Sequence, residues 1–442
     1  MTPVCYAHME IVLNDRKVLN GWALFDWANS SYALVISVAI FPIFFIDQTN
    51  DYISFGNLEI SNSSLYAFSI SFAYLIITIL LPVLSGIADY TGRRMFFLKL
   101  FSTIGSMACV SLFFFNGMPQ LFIGLAGFIL ATIGFDGGKV FYNSYLPIIC
   151  SKDQYDRVSA KGFSYGYIGS VILLCTNLAI IKNPNWFGIP EGDTLAVRIS
   201  FLMVGLWWFG FAQISFSRLP PDTKGIAISH VITRGIQEIR KVWNELKPQK
   251  NIKRFLFSFL FYSAGVQTIL YLASAFAEKE LHFETSELII VILLLQLVAI
   301  GGAYFFAFIS GIKGNKYSLI SMLLIWIAIC FLAYYVQEKL QFYLIAGLVG
   351  LVMGGIQSMS RSTYSKLITD NTTDSTSYFS FYEILEKIAI MVGTFSFGFI
   401  EQITGGMRNS ILLLGSYFLI GIVILATVKI QSKEAIDQLA NS

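Results

Sequence analysis

The chain has 442 residues, of which 55% are hydrophobic and 13% charged, and a net charge of +3. Soluble domains carry roughly 25% charged residues, so this composition excludes an ordinary water-soluble globular domain and points to lipid as the solvent. The balance gives no reason to expect nucleic acid, and Cys5, Cys109, Cys150, Cys175 and Cys330 with His8, His230 and His282 show neither a disulfide framework nor metal-ligand spacing.

The first 20 residues are polar and hold no apolar stretch of the kind found in a cleavable leader, so the first hydrophobic segment is expected to act as a signal-anchor. A spanning helix needs about 20 mostly apolar residues. Twelve such segments follow, at about 21–45, 64–88, 95–115, 119–147, 160–181, 198–217, 254–277, 287–309, 317–336, 340–366, 378–401 and 409–430. Most of the 30 basic residues fall in connections on one side. Only Lys182, Arg198, Lys279, Lys339 and Arg408 fall on the other. That bias predicts an all-α integral membrane protein with both termini cytoplasmic.

Charged residues inside spans are costly and therefore informative. Asp26 lies early in span 1, Asp136 and Lys139 late in span 4, Arg361 late in span 10, and Glu383, Glu386 and Lys387 early in span 11. At about 1.5 Å per residue all of these fall in the cytoplasmic half. After span 2 comes SGIADYTGRR, residues 85–94, in which Asp89 ends a helix, Gly92 permits a tight turn, and Arg93 and Arg94 meet the inner lipid surface. An acid placed so can accept hydrogen bonds from a neighbouring helix N-terminus and brace one conformation of a bundle. The plainer reading is a positive-inside turn.

The longest connection, 219–253, separates a first half, 1–218, from a second, 254–442. Ile228, Val231, Ile232, Ile236, Ile239, Val242, Trp243 and Leu246 recur in it at helical spacing opposite basic residues. Such a helix lies on the anionic inner leaflet or packs on the bundle. ISGIKGNK after span 8 echoes SGIADYTGRR without its acid, and Gly354-Gly355 of span 10 echoes Gly137-Gly138 of span 4. Parallel repeats of six spans build the major facilitator fold of two pseudo-symmetric halves.

GWALFDWANSSYALVI (21–36), VFYNSYLP (140–147), RVSAKGFSYGYIGSVI (157–172), GGIQSMSRSTYSKLI (354–368) and the stretch 381–414 resemble the autophagy-related vacuolar amino-acid effluxer family. SGIADYTGRR itself is similar to the signature loop of major facilitator transporters, with Ser85 and Tyr90 departing from the pattern. The resemblance implies a small-solute permease working by alternating access, with amino acids as substrates and efflux as direction. It implies no enzyme activity. Substrate contacts are then expected near the midplane from Asn29, Ser30, Tyr32, Tyr142, Asn143, Gln267, Gln296 and Gln357, whose amides and hydroxyls suit a zwitterion or neutral polar solute.

For the intramembrane charges two readings stand. One makes Asp136–Lys139 and Glu383–Lys387 helix-neighbour ion pairs that close the inner side. The other gives an acid among them a proton to carry, with Glu386 favoured because it has no basic residue one turn further on. Asp89, Arg93 and Arg94 are expected to serve switching. No phosphate-binding loop is present, so the drive is expected to be passive or an ion gradient, and no cofactor or metal is implied. The rival functions are a proton-coupled antiporter for amphipathic compounds and a transporter-like sensor without flux. The membrane is expected to be a bacterial inner membrane, with a vacuolar membrane as the alternative.

Overall fold

The computed structural model describes residues 12–56, 58–222, 231–368, 374–404 and 406–430. Cys5, His8, Ile228 and His230 lie outside them. Long helices dominate because a backbone in hydrocarbon must satisfy its own hydrogen bonds. They are α1 (Arg16–Asp47), α2 (Asn62–Thr91), α3 (Arg94–Ser111), α4 (Leu121–Asn143), α5 (Tyr155–Lys182), α6 (Leu195–Arg218), α7 (Val231–Leu246), α8 (Lys250–Leu281), α9 (Thr285–Lys313), α10 (Asn315–Tyr335), α11 (Lys339–Leu367), α12 (Ser375–Thr404) and α13 (Met407–Ala426).

Among the described residues, 11 helices are long and apolar enough to cross a membrane. The predicted span 11 corresponds to α12, a 30-residue helix that carries Glu383, Glu386, Lys387 and Glu401 and so falls outside that set. It packs against α2, α4, α8 and α13 like the others.

Helix ends follow local chemistry. Asp15 caps α1 by accepting from the backbone N–H of Lys17 at 2.7 Å and of Val18 at 3.0 Å. Glu284 and Glu338 open α9 and α11 with capping boxes. Inside α1 the register widens to a π-helix over Tyr32–Ile40, just before Pro42. Pro42 has no N–H for the Val38 carbonyl, and a wide turn absorbs that loss. A two-stranded antiparallel hairpin, β1 (Tyr52–Phe55) and β2 (Leu58–Ser61), joins α1 to α2 and was not anticipated from the sequence.

In packing, α1 lies on α5 and α6, and α3 on α4 and α6. Further along the chain, α9 lies on α11, α8 on α12 and α13, and α10 on α13. The two groups meet where α5 touches α9 and α11, and where α12 touches α2 and α4.

The connecting helix α7 packs on the end of α2, with Val242 and Leu246 buried and Ile236 and Trp243 exposed. Lys241 reaches Asp374 at 2.8 Å and Glu245 accepts from the Tyr378 hydroxyl at 3.1 Å, so α7 touches both groups. Of the two readings for this segment, packing on the bundle is what is observed. Just upstream, Asp222 caps α3 by accepting from the N–H of Met95 at 2.5 Å and of Phe96 at 3.0 Å. Burial pushes its carboxyl above the usual range, although these two bonds oppose the shift.

Candidate functional site

The helices α1, α4, α8 and α11 bring polar side chains to one depth, and a cavity of about 300 Å³ lies between them. All of the uncharged candidates line it: Asn29, Ser30, Tyr32, Tyr142, Asn143, Gln267, Gln296 and Gln357. So do Asp26, Asp136, Lys139, Arg361, Glu383, Glu386 and Lys387, whereas Asp89, Arg93 and Arg94 stand outside it at the α2–α3 junction.

Arg361 of α11 anchors one side of the floor. Its Nη1 donates to Asp26 Oδ2 at 3.3 Å and to Asn143 Oδ1 at 3.1 Å. Its Nε donates to Ser159 Oγ, and its Nη2 to the Ser159 carbonyl, each at 2.9 Å. The Trp22 and Phe163 rings lie 4.6 and 4.2 Å from the guanidinium carbon, which adds cation–π attraction in a site where water is scarce. Tyr142 donates to Asp26 Oδ2 at 2.7 Å. Gly162 is what lets α5 come this close. A Cβ there would stand 2.6 Å from Asp26 Oδ2 and 2.9 Å from Arg361 Nη2.

The other side of the floor joins α4 to α12. Lys387 donates to Asp136 Oδ1, and to Glu386 Oε2 at 3.2 Å. Lys139 donates to Glu386 Oε2 at 3.1 Å and stands 3.9 Å from Asp136 Oδ1. Gln267 donates to Glu386 Oε1 at 3.1 Å. Asn143 donates to Glu383 Oε1 at 2.8 Å.

Two expectations are corrected here. The Glu383–Lys387 pair does not form, because Lys387 turns across the cavity to Asp136. Spacing along one helix gave no view of a partner on another. Nor is Glu386 the least engaged acid, since Lys139, Lys387 and Gln267 all donate to it. Glu383 is: its Oε2 is buried without a hydrogen bond, and the Lys139 ammonium at 3.5 Å gives attraction only. The floor sets the carboxylates of Asp26, Asp136, Glu383 and Glu386 against the cations Lys139, Arg361 and Lys387. One negative charge is left over, and the unsatisfied oxygen of Glu383 is where a proton or a cation would gain most.

The uncharged residues also divide. Tyr142, Asn143 and Gln267 are struts of the ionic floor, as their bonds above show. Tyr32 shares a 2.6 Å hydrogen bond with Thr132, and Gln357 Oε1 accepts from Tyr167 at 2.7 Å. The buried carbonyl oxygens of Asn29 and Gln296 have no partner, which leaves them available to a solute.

Next to the floor the two groups are latched. Asp89 accepts from the N–H of Ser377 at 2.6 Å and of Thr376 at 3.3 Å, at the N-terminus of α12. Arg94 pairs with Asp89 at 3.2 Å and donates to Thr376 Oγ1 at 2.8 Å. Gly92, with φ 66°, makes the left-handed turn between them. Arg93 is exposed and forms no ion pair among the described residues.

The matching turn of the second group, which has no acid, borrows one. Asp156 of α5 accepts from Asn315 at 2.8 Å, Ser310 at 2.9 Å and Lys366 at 2.7 Å. Sequence reasoning missed Asp156. The acid absent from ISGIKGNK was the available signal. It also missed Tyr74 and Tyr271, whose hydroxyls meet at 2.9 Å between α2 and α8.

A family profile for vacuole effluxers of the Atg22 type matches residues 14–436. The chain belongs to the Atg22-like family. Among Atg22-like relatives, the uncharacterised MFS-type transporter YxiO of Bacillus subtilis is 28% identical over 96% of this chain and 98% of its own. Autophagy-related protein 22 of Saccharomyces cerevisiae is 25% identical over 80% of this chain and 75% of its own. The crystal structure of the E. coli major facilitator transporter FucP, in its outward conformation, superposes with a TM-score of 0.67. It covers 94% of this chain and 100% of FucP at 12% identity, a likeness of fold. The Atg22-like chain is therefore a multi-pass membrane protein with a major facilitator fold, and its relatives are transporters rather than enzymes.

Proposed function

We propose that this Atg22-like protein is a secondary transporter that exports amino acids or similar small zwitterionic solutes by alternating access. In this reading all twelve predicted segments span, both termini are cytoplasmic, and the halves 1–218 and 254–442 rock about the central cavity. The observation that carries the proposal is one juxtaposition: unpartnered amide oxygens of Asn29 and Gln296 above an ionic floor shared by helices of both halves. Amide oxygens can accept from an ammonium group. The floor can reorganise between charge pairs as the halves move. Its excess carboxylate on Glu383 supplies a coupling site for a proton.

In the arrangement observed, the Asp89, Arg361–Asp26, Lys387–Asp136 and Asp156 contacts all tie the two groups at the end expected to be cytoplasmic. The cavity lining rises from Asp26 to Ser37 and Val38. At 1.5 Å per residue that is roughly 16 Å towards the other face. Opening inward therefore requires breaking these ties in concert.

The aromatic walls of Phe135, Phe163, Tyr167 and Phe259 favour the second reading, an antiporter for amphipathic compounds. Loading proteoliposomes with a labelled amino-acid mixture and imposing a pH gradient separates the two readings. Amino-acid efflux above that of empty vesicles, responsive to the gradient, is the expected result. Flux of an amphipathic cation with none of amino acids would assign the second reading. No flux of either by folded protein would leave a sensor.

A further inference from the structure

A second polar cavity, of about 520 Å³, lies away from the transport cavity, where the starts of α1 and α5 meet α9. Arg16, Arg157 and Lys161 line it, together with Gln154 and Tyr304. Among the described residues no ion pair reaches any of these cations. Arg16 and Arg157 are near enough to Lys161 to repel it.

Among the described residues, the acids close by in sequence are engaged elsewhere. Asp15 caps α1, Asp153 accepts from Gln154 at 2.8 Å, and Asp156 is held by Lys366 at 2.7 Å. Gathering like charges without a counter-ion is unfavourable unless an anion joins them. Lys161 sits six residues into α5, roughly 9 Å from its start, which in the orientation proposed above is headgroup depth.

From this cleft an apolar track climbs the bundle. On α9, Tyr304 and Leu297 are exposed on one face, with open space at Gly301 between them. On α5, Tyr165 lies beneath Lys161 at 5.6 Å, and Ile172 is exposed further along. A soluble anion has no use for that track, whereas an acyl chain does.

We infer that the cleft formed by Arg16, Arg157 and Lys161 binds the phosphate of an anionic phospholipid of the inner leaflet, with an acyl chain along α9. The inference rests on the orientation proposed above, with these helix ends on the cytoplasmic side. Basic pockets between spanning helices on that side suit anionic headgroups.

The test uses the purified full chain in phosphatidylcholine nanodiscs, titrated with phosphatidylglycerol and, separately, with inorganic phosphate. Bound lipid is counted by native mass spectrometry and Tm is recorded alongside. Substituting Arg16→Gln, Arg157→Gln and Lys161→Gln together is expected to weaken phosphatidylglycerol binding by roughly fivefold per cation removed. The control substitution of the exposed Lys250, Lys253 and Lys429 by Gln is expected to change it less than about twofold. Equal losses in both sets, or none in the first, overturn the inference. A Tm rise with inorganic phosphate that lipid does not increase overturns the lipid assignment. Should the triple variant not fold, the exposed Arg157→Gln alone is expected to lose about fivefold, and unchanged binding there is equally contrary.

Discussion

Asp26→Asn is expected to cost about 3–5 kcal/mol of stability, because it leaves the Arg361 guanidinium buried without its carboxylate. The Arg361 side chain is 3% exposed, and Asp26 at 3.3 Å is its only ion-pair partner among the described residues. Asn143 and Ser159 remain as acceptors, but neither carries charge. Arg361→Met alone is expected to be comparably costly, since it strands Asp26. The double variant should recover much of the loss, because it leaves neither charge buried without its partner. Thermal unfolding in detergent, read as a double-mutant cycle, measures this. A coupling energy above roughly 1.5 kcal/mol is expected. A coupling near zero would mean that Asp26 and Arg361 do not act as a pair.

Glu383→Gln is expected to abolish the response of transport to a pH gradient while exchange of solute across the membrane continues. The acid carries the leftover charge of the floor and an oxygen with no donor, so a neutral amide resembles its protonated form. For the same reason the variant should unfold at a higher Tm than the wild type, since an imperfectly compensated buried charge is removed. Gain of stability with loss of coupling is the usual trade at a strained functional site. Glu386→Gln should behave differently and lower Tm, because it removes the carboxylate charge that both Lys139 and Lys387 engage. If Glu383→Gln keeps a wild-type gradient response, proton coupling does not run through this carboxylate.

The span pattern and the α2–α3 turn could be read from the sequence because each follows from local composition, and the cavity's polar residues because the family resemblance implies which spans line it. Twenty apolar residues imply a span whatever surrounds them, and an Asp followed by Gly-Arg-Arg describes its own turn. Partner choice could not be read. Lys387 lies one turn from Glu383 yet serves Asp136, since the cavity places α4 opposite that face of α12. The same blindness promoted Glu386 over Glu383, and hid Asp156, whose three partners come from the far half of the chain. The π-turn in α1 had a signal in Pro42. The hairpin had one in the alternation of YISFGNLEIS around Gly56, whose φ is 64°. In both cases long apolar stretches nearby dominated the pattern.

Alternating access requires the latched end of the bundle to open in every cycle, and a cross-link there tests that directly. Ser144 Oγ at the end of α4 and Thr376 Oγ1 at the start of α12 lie 3.4 Å apart, a side-chain separation suited to a disulfide. In a variant stripped of its native cysteines, Ser144→Cys with Thr376→Cys is expected to cross-link on oxidation. Flux in proteoliposomes should then fall to the level of empty vesicles and return on reduction. Undiminished flux through fully cross-linked protein would contradict the proposed mechanism, because the solute would then be crossing without the two halves separating at this end.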